Sequence, residues 1–96
     1  MSASPKALRK PRNFKVCIFD SPLIYKQPKD FIFAISYIFK KSLSESEFLL
    51  KEISENGCIV VEITNFDVAM TRGAALYNIA KSKGLLLTIE VLPLSH

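Results

Sequence analysis

The residues able to do chemistry are few and scattered. The one histidine, His96, is the last residue, so no Cys-His or Ser-His pair can be assembled around a pocket, and it reads as a chain end. Cys17 and Cys58 both lie inside apolar runs with no histidine nearby. They make a poor metal site and read as buried thiols of a reducing compartment rather than a disulfide framework. Gly57, Gly73 and Gly84 occur singly, so there is no glycine-rich loop to cradle phosphate. Asp20, Asp30 and Glu90 are carboxylates whose spacing demands no common site, and each reads as solvated or capping. No catalytic residue, cofactor or metal is expected. The chain reads as a binding protein, not an enzyme.

The elements around these residues describe one small domain. Of 96 residues, 49% are hydrophobic and 23% charged, with five Pro and seven Phe, which suits a single core and argues against disorder over most of the length. The longest apolar run, Phe31–Phe39, is too short to cross a bilayer. The basic start has no apolar stretch of the kind a secretory signal needs, so no membrane partner is expected. Charge is unevenly spread. Residues 1–15 hold Lys6, Arg9, Lys10, Arg12 and Lys15 with no acid, giving +5, and the rest carries eight bases against nine acids, giving −1. Residues 1–12, with Pro5 and Pro11, read as a flexible basic tail, and residues 13–96 as the folded domain.

Phe14–Phe19 predicts a strand buried on both faces, stopped by the turn residues Asp20-Ser21-Pro22, with a loop to Gln27. Pro28 suits the start of a helix whose apolar face is Phe31, Ile32, Ile35, Ile38 and Phe39, ending near Lys40-Lys41. Ser44-Glu45-Ser46-Glu47 reads as a capping box, with Leu43 and Phe48 as a hydrophobic staple. The second helix then buries Phe48, Leu49, Leu50 and Ile53 and closes on Gly57 in a left-handed cap. Cys58–Ile63 is the second strand. Thr64-Asn65 caps a third helix, roughly Phe66–Ser82, with Val68, Ala75, Leu76 and Ile79 inward, Gly73 and Ala74 allowing close packing, and Gly84 ending it. Leu85–Leu92 is the third strand. The expected fold is α+β: a β-α-α-β-α-β sandwich with a small three-stranded antiparallel sheet and three helices on one face.

With these elements laid out, the chain resembles the ClpS family of small adaptors of Clp proteases, from about Phe14 to Glu90. The likeness rests on Phe14-Lys15-Val16, Pro28-x-x-Phe31-Ile32, Gly57, Asp67-Val68-Ala69, Thr71-Arg72 and Thr88-Ile89-Glu90, in that order. The resemblance implies two surfaces. One docks on the N-terminal domain of a Clp AAA+ ATPase. Here Asp67 and Arg72 match the family's Glu and Lys, with Thr71 beside them, as an exposed acid-to-base pair.

The other surface captures substrate proteins by a large hydrophobic N-terminal residue, the N-degron. The family's Asn-Asp-Asp run followed by Tyr-Thr-Pro-Met is replaced by Asp20-Ser21-Pro22-Leu23-Ile24, about three extra residues, Pro28 and Lys29. A family Met becomes Leu50 and its His becomes Ser54, while Ile32, Leu50, Ile53 and Leu85 match apolar pocket positions. Of Asp20, Ser21, Pro22 and Ser54, only Asp20 offers a carboxylate to a buried α-ammonium, and an unpaired buried charge costs several kcal/mol. The resemblance therefore implies a monomeric, non-enzymatic adaptor or regulator of proteolysis with a degenerate N-degron pocket. It would work in bacterial cytoplasm or plastid stroma. The alternative is a protein- or RNA/ribosome-binding module using the basic tail. Nucleic acid is the less expected partner, because no aromatic residue in the tail can stack on bases.

Overall fold

Seven elements follow one another in a computed structural model that describes residues 13–94. They are β1 (Phe14–Phe19), α1 (Pro22–Lys26), α2 (Pro28–Phe39), α3 (Leu43–Asn56), β2 (Cys58–Thr64), α4 (Phe66–Ser82) and β3 (Thr88–Pro93). The basic tail at residues 1–12, the domain boundary drawn there and His96 lie outside the described residues. Among the described residues, no helix is long and apolar enough to cross a membrane, and no cluster of His, Cys, Asp or Glu could hold a metal ion.

The sheet is antiparallel in the order β2-β1-β3, so β1 is central and its apolar run is explained by neighbours on both sides. Ile18 faces Ile59 on one side and Ile89 on the other, while Cys17 faces Val60 and Glu90. Between Val16 and Cys17 the register against β2 slips by one residue, a bulge that skips Val61 and sets Val16 opposite Glu62. Val16, Ile18, Ile59 and Val61 are buried, whereas Val60 and Ile63 are exposed, so one sheet face is covered and the other open. The α+β layout with its three-stranded antiparallel sheet is as expected. A fourth, short helix is added to it.

That helix, α1, occupies the segment expected to be a loop. Asp20-Ser21-Pro22 does not merely stop β1. Ser21 is an N-cap whose Oγ accepts from the Leu23 N–H at 3.3 Å, and Pro22 takes the first helical position, where no N–H is needed. Ile24 then drops into the core with 0% exposure.

The start of α3 also differs from expectation. The sequence offers two Ser-x-x-Glu boxes, and the upstream one forms. The Glu45 N–H donates to Ser42 Oγ at 3.1 Å, and the Ser42 N–H donates to Glu45 Oε1 at 2.9 Å. The Ser44–Glu47 box is not used. Ser46 is instead fully buried, its hydroxyl donating to the Ser42 carbonyl at 3.0 Å. Beginning two residues early leaves Leu43 and Phe48 exposed, at 64% and 60%, so neither forms the expected staple and Phe48 leaves the buried stripe.

Three smaller corrections concern packing. The buried residues of α4 are Ala69, Gly73, Leu76 and Ala80, so the face is rotated from that expected: small residues let the helix approach the sheet, while Val68, Ala75 and Ile79 are half-buried and Ala74 is exposed. β3 starts at Thr88 and not Leu85, because its pairing with β1 begins opposite Phe19, where β1 ends; Leu85 and Leu87 are buried ahead of the strand. Cys17 is buried, but Cys58 is exposed.

Candidate functional site

Two surfaces carry the residues singled out by sequence. The first is built where β1 meets the C-terminal end of α3. Gly57, at φ +83°, ends α3 in the left-handed conformation with its N–H donating to the Ile53 carbonyl at 2.9 Å. The Gly57 carbonyl in turn accepts from the Asp20 N–H at 2.9 Å. Asp20 is therefore held beside the last turn of α3, where Ile53 and Ser54 lie.

The Asp20 carboxylate is already engaged. Its Oδ1 accepts from the Ser21 N–H at 2.9 Å and from the Tyr25 hydroxyl at 2.6 Å. Partial burial, then the hydrogen bond and the charge of Asp20, push the Tyr25 hydroxyl up to about 12, with the nearby Ser54 hydroxyl opposing the shift. Ser54 is exposed and donates to the Lys51 carbonyl of its own helix at 2.7 Å. Ile53 and Leu85 are fully buried members of the core, Leu50 is half-buried and packed against it, and Ile32 is half-buried. The fold thus gathers Asp20, Ser21, Pro22 and Ser54 at one end of the α1–α3 layer.

Tyr25 was not among the residues singled out by sequence. It sits in the extra segment before Pro28, where the Ser21-Pro22 cap turns Asp20 and a tyrosine five residues on toward each other. Gln27 was missed as well. Its Nε2 donates to Asp30 Oδ2 at 2.9 Å and to the Lys83 carbonyl at 2.8 Å, tying the start of α2 to the end of α4.

The second surface is the first half of α4. Asn65 caps the helix, its Oδ1 accepting from the Val68 N–H at 2.9 Å. Asp67 stands in the first turn, where a negative charge is favoured by the helix dipole. Asp67, Val68, Thr71 and Arg72 line one shallow hollow of about 320 Å³. Asp67 and Thr71 are exposed, but Arg72 is only half so. The base of this acid-to-base pair is also engaged within the fold. Arg72 forms a hydrogen-bonded ion pair with Glu62 of β2, the residue set opposite Val16 by the bulge. The second oxygen of that carboxylate, Glu62 Oε1, is buried with no hydrogen-bond partner.

No family model matches the chain. Two relatives are ATP-dependent Clp protease adapter proteins ClpS from two strains of Leptospira biflexa serovar Patoc. Each is 26% identical over 80 residues, which are 82% of this chain and 68% of the relative. Among solved structures, Agrobacterium tumefaciens ClpS2 bound to L-phenylalaninamide superimposes with a TM-score of 0.75 at 18% identity, covering 88% of this chain and all of that one, a likeness of fold. Taken together, the sequence match and the shared fold support a divergent member of the ClpS family.

Proposed function

We propose that this chain is a non-enzymatic Clp protease adaptor or regulator that docks on the N-terminal domain of a Clp AAA+ ATPase. The docking face is the first half of α4, and the pocket for an N-terminal residue is altered. The observation that carries the docking reading is the hollow shared by Asp67, Val68, Thr71 and Arg72. It offers an acid, a hydroxyl and a half-exposed base on one rigid helix, a pattern suited to orienting and steering a charged partner. The adaptor relatives from Leptospira biflexa support the partner class. For the pocket, the supporting observations are the single carboxylate among Asp20, Ser21, Pro22 and Ser54, and the full burial of Ile53 and Leu85.

The test is capture of the purified protein on immobilised N-terminal domains of Clp ATPases. The unmutated chain is expected to be retained. Thr71→Arg, which fills the hollow from an exposed position, is expected to abolish retention without changing the fold by circular dichroism. Failure of the unmutated chain to bind any Clp ATPase would remove this reading.

A further inference from the structure

Helix α1 makes two contacts from adjacent residues that belong to one kind of ligand. Ile24 puts an apolar side chain, 0% exposed, into the core that also contains Ile53 and Leu85. Tyr25 places a hydroxyl donor 2.6 Å from Asp20 Oδ1. An apolar side chain beside a donor to a carboxylate is the chemistry of a free N-terminal residue. L-phenylalaninamide, the molecule bound by the similar Agrobacterium structure, combines an amine with a benzyl group in the same way. Ser21 and Pro22 fix the arrangement, because the N-cap and the following proline set the helical turn that swings Tyr25 back over Asp20.

We propose that Tyr25 of α1 closes the Asp20 carboxylate against the α-amine of an incoming peptide. This rests on reading Asp20 as the remnant of an amine cradle. A peptide ammonium would have to displace the tyrosine hydroxyl from Oδ1, giving up an O–H···O⁻ bond of the short, strong class before making its own. Tyr25 is 44% exposed and can turn out to solvent, whereas Ile24 is locked in the core. Tyr25 is therefore the part of α1 that yields. The ligand class it excludes is a peptide with a free α-amine and a large apolar first residue.

The experiment is fluorescence anisotropy of the full chain with a Phe-initiated peptide labelled at its C-terminal end, and with the N-acetylated form of the same peptide. The proteins are the unmutated chain, Tyr25→Phe, and Tyr25→Phe combined with Asp20→Asn, each checked for fold by circular dichroism. Tyr25→Phe is expected to bind the free-amine peptide about tenfold more tightly than the unmutated chain, the scale of one charge-assisted hydrogen bond. Acetylation and Asp20→Asn are each expected to erase that gain. Weak binding by the unmutated chain and by Tyr25→Phe alike would overturn the closure while leaving the altered pocket standing. A gain that survives acetylation or Asp20→Asn would overturn it too. Micromolar, amine-dependent binding by the unmutated chain would overturn both the closure and the reading of the pocket as altered.

Discussion

The Tyr25 hydroxyl donates to Asp20 Oδ1 at 2.6 Å across five residues of chain, with Ser21 and Pro22 turning the backbone between them. The bond ties a strand end, a helix cap and the C-terminal turn of α3 into one unit, since the Asp20 N–H also donates to the Gly57 carbonyl.

The raised Tyr25 hydroxyl sets a stability window. A group whose folded-state value lies above its unfolded value of 10.0 contributes stability that is complete below about pH 10 and is lost as pH rises to about 12. Tyr25→Phe is expected to flatten the alkaline fall in stability across that window relative to the unmutated chain, as measured by urea unfolding at stepped pH. Identical alkaline profiles would show the bond to be energetically silent.

Two serines two residues apart are expected to behave differently. Ser42 caps α3 through its hydroxyl, so Ser42→Ala should cost about 1 kcal/mol. Ser44 is exposed and outside the box, so Ser44→Ala should stay within about 0.5 kcal/mol of the unmutated protein. Chemical denaturation of the pair measures the difference, and the reverse order would return the cap to Ser44.

Glycines at two helix positions also separate. A methyl group at Gly73 would stand 3.6 Å from Val91 Cγ2 and 3.7 Å from Ile89 Cγ2, ordinary contact distances. Gly73→Ala is therefore expected to stabilise the chain by up to about 1 kcal/mol through helix propensity. Gly57→Ala meets no neighbour but forces a side chain into φ +83°, with a loss of about 1–2 kcal/mol. Thermal melts of the two variants should move in opposite directions.

Arg72 is a poorer probe of docking than its place on α4 suggests. Arg72→Glu would set a second carboxylate against Glu62, whose Oε1 already lacks a partner. That variant should lose about 1–3 kcal/mol, roughly 4–8 °C in Tm for each kcal/mol. Thr71→Arg should melt within a degree or two of the unmutated chain while losing capture by the Clp N-domain. Equal melting of Arg72→Glu and the unmutated chain would show the Glu62 pair to be inert.

The two thiols are expected to react in order. Cys58 is exposed, whereas Cys17 is buried and its thiol is pushed up chiefly by desolvation. One equivalent of a thiol reagent should label Cys58 in the folded protein, with Cys17 reacting only on unfolding, as read by peptide mapping.

What the sequence made legible was local. β1 is a continuous apolar run, Asn65 is followed by a helical pattern, and Gly57 closes a periodic stripe, so each could be placed from its neighbours alone. Asp20-Ser21-Pro22 is different, because the same three residues stop a strand and start a helix. The burial of Ile24 in a core assembled from distant segments decides between these, and no local pattern carries that information. Ser42 and Ser44 both satisfy the same box, and the burial of Ser46 accompanies the upstream choice. Asp67, Thr71 and Arg72 could be placed on one helix from the sequence, but the partner of Arg72 depends on a bulge ten residues back, in a strand pairing that periodicity does not reveal. Tyr25 escaped notice for the same reason as α1, since its relation to Asp20 exists only once that turn is helical.

The bond from the Asp20 N–H to the Gly57 carbonyl bridges chain segments 37 residues apart, on the boundary between the first strand and the helical hairpin. A single amide proton therefore reads the integrity of both. Its deuterium uptake would register loosening of the α3 terminus as faithfully as movement of the turn after β1, and slow uptake there would mean that the seam opens only when the whole domain does.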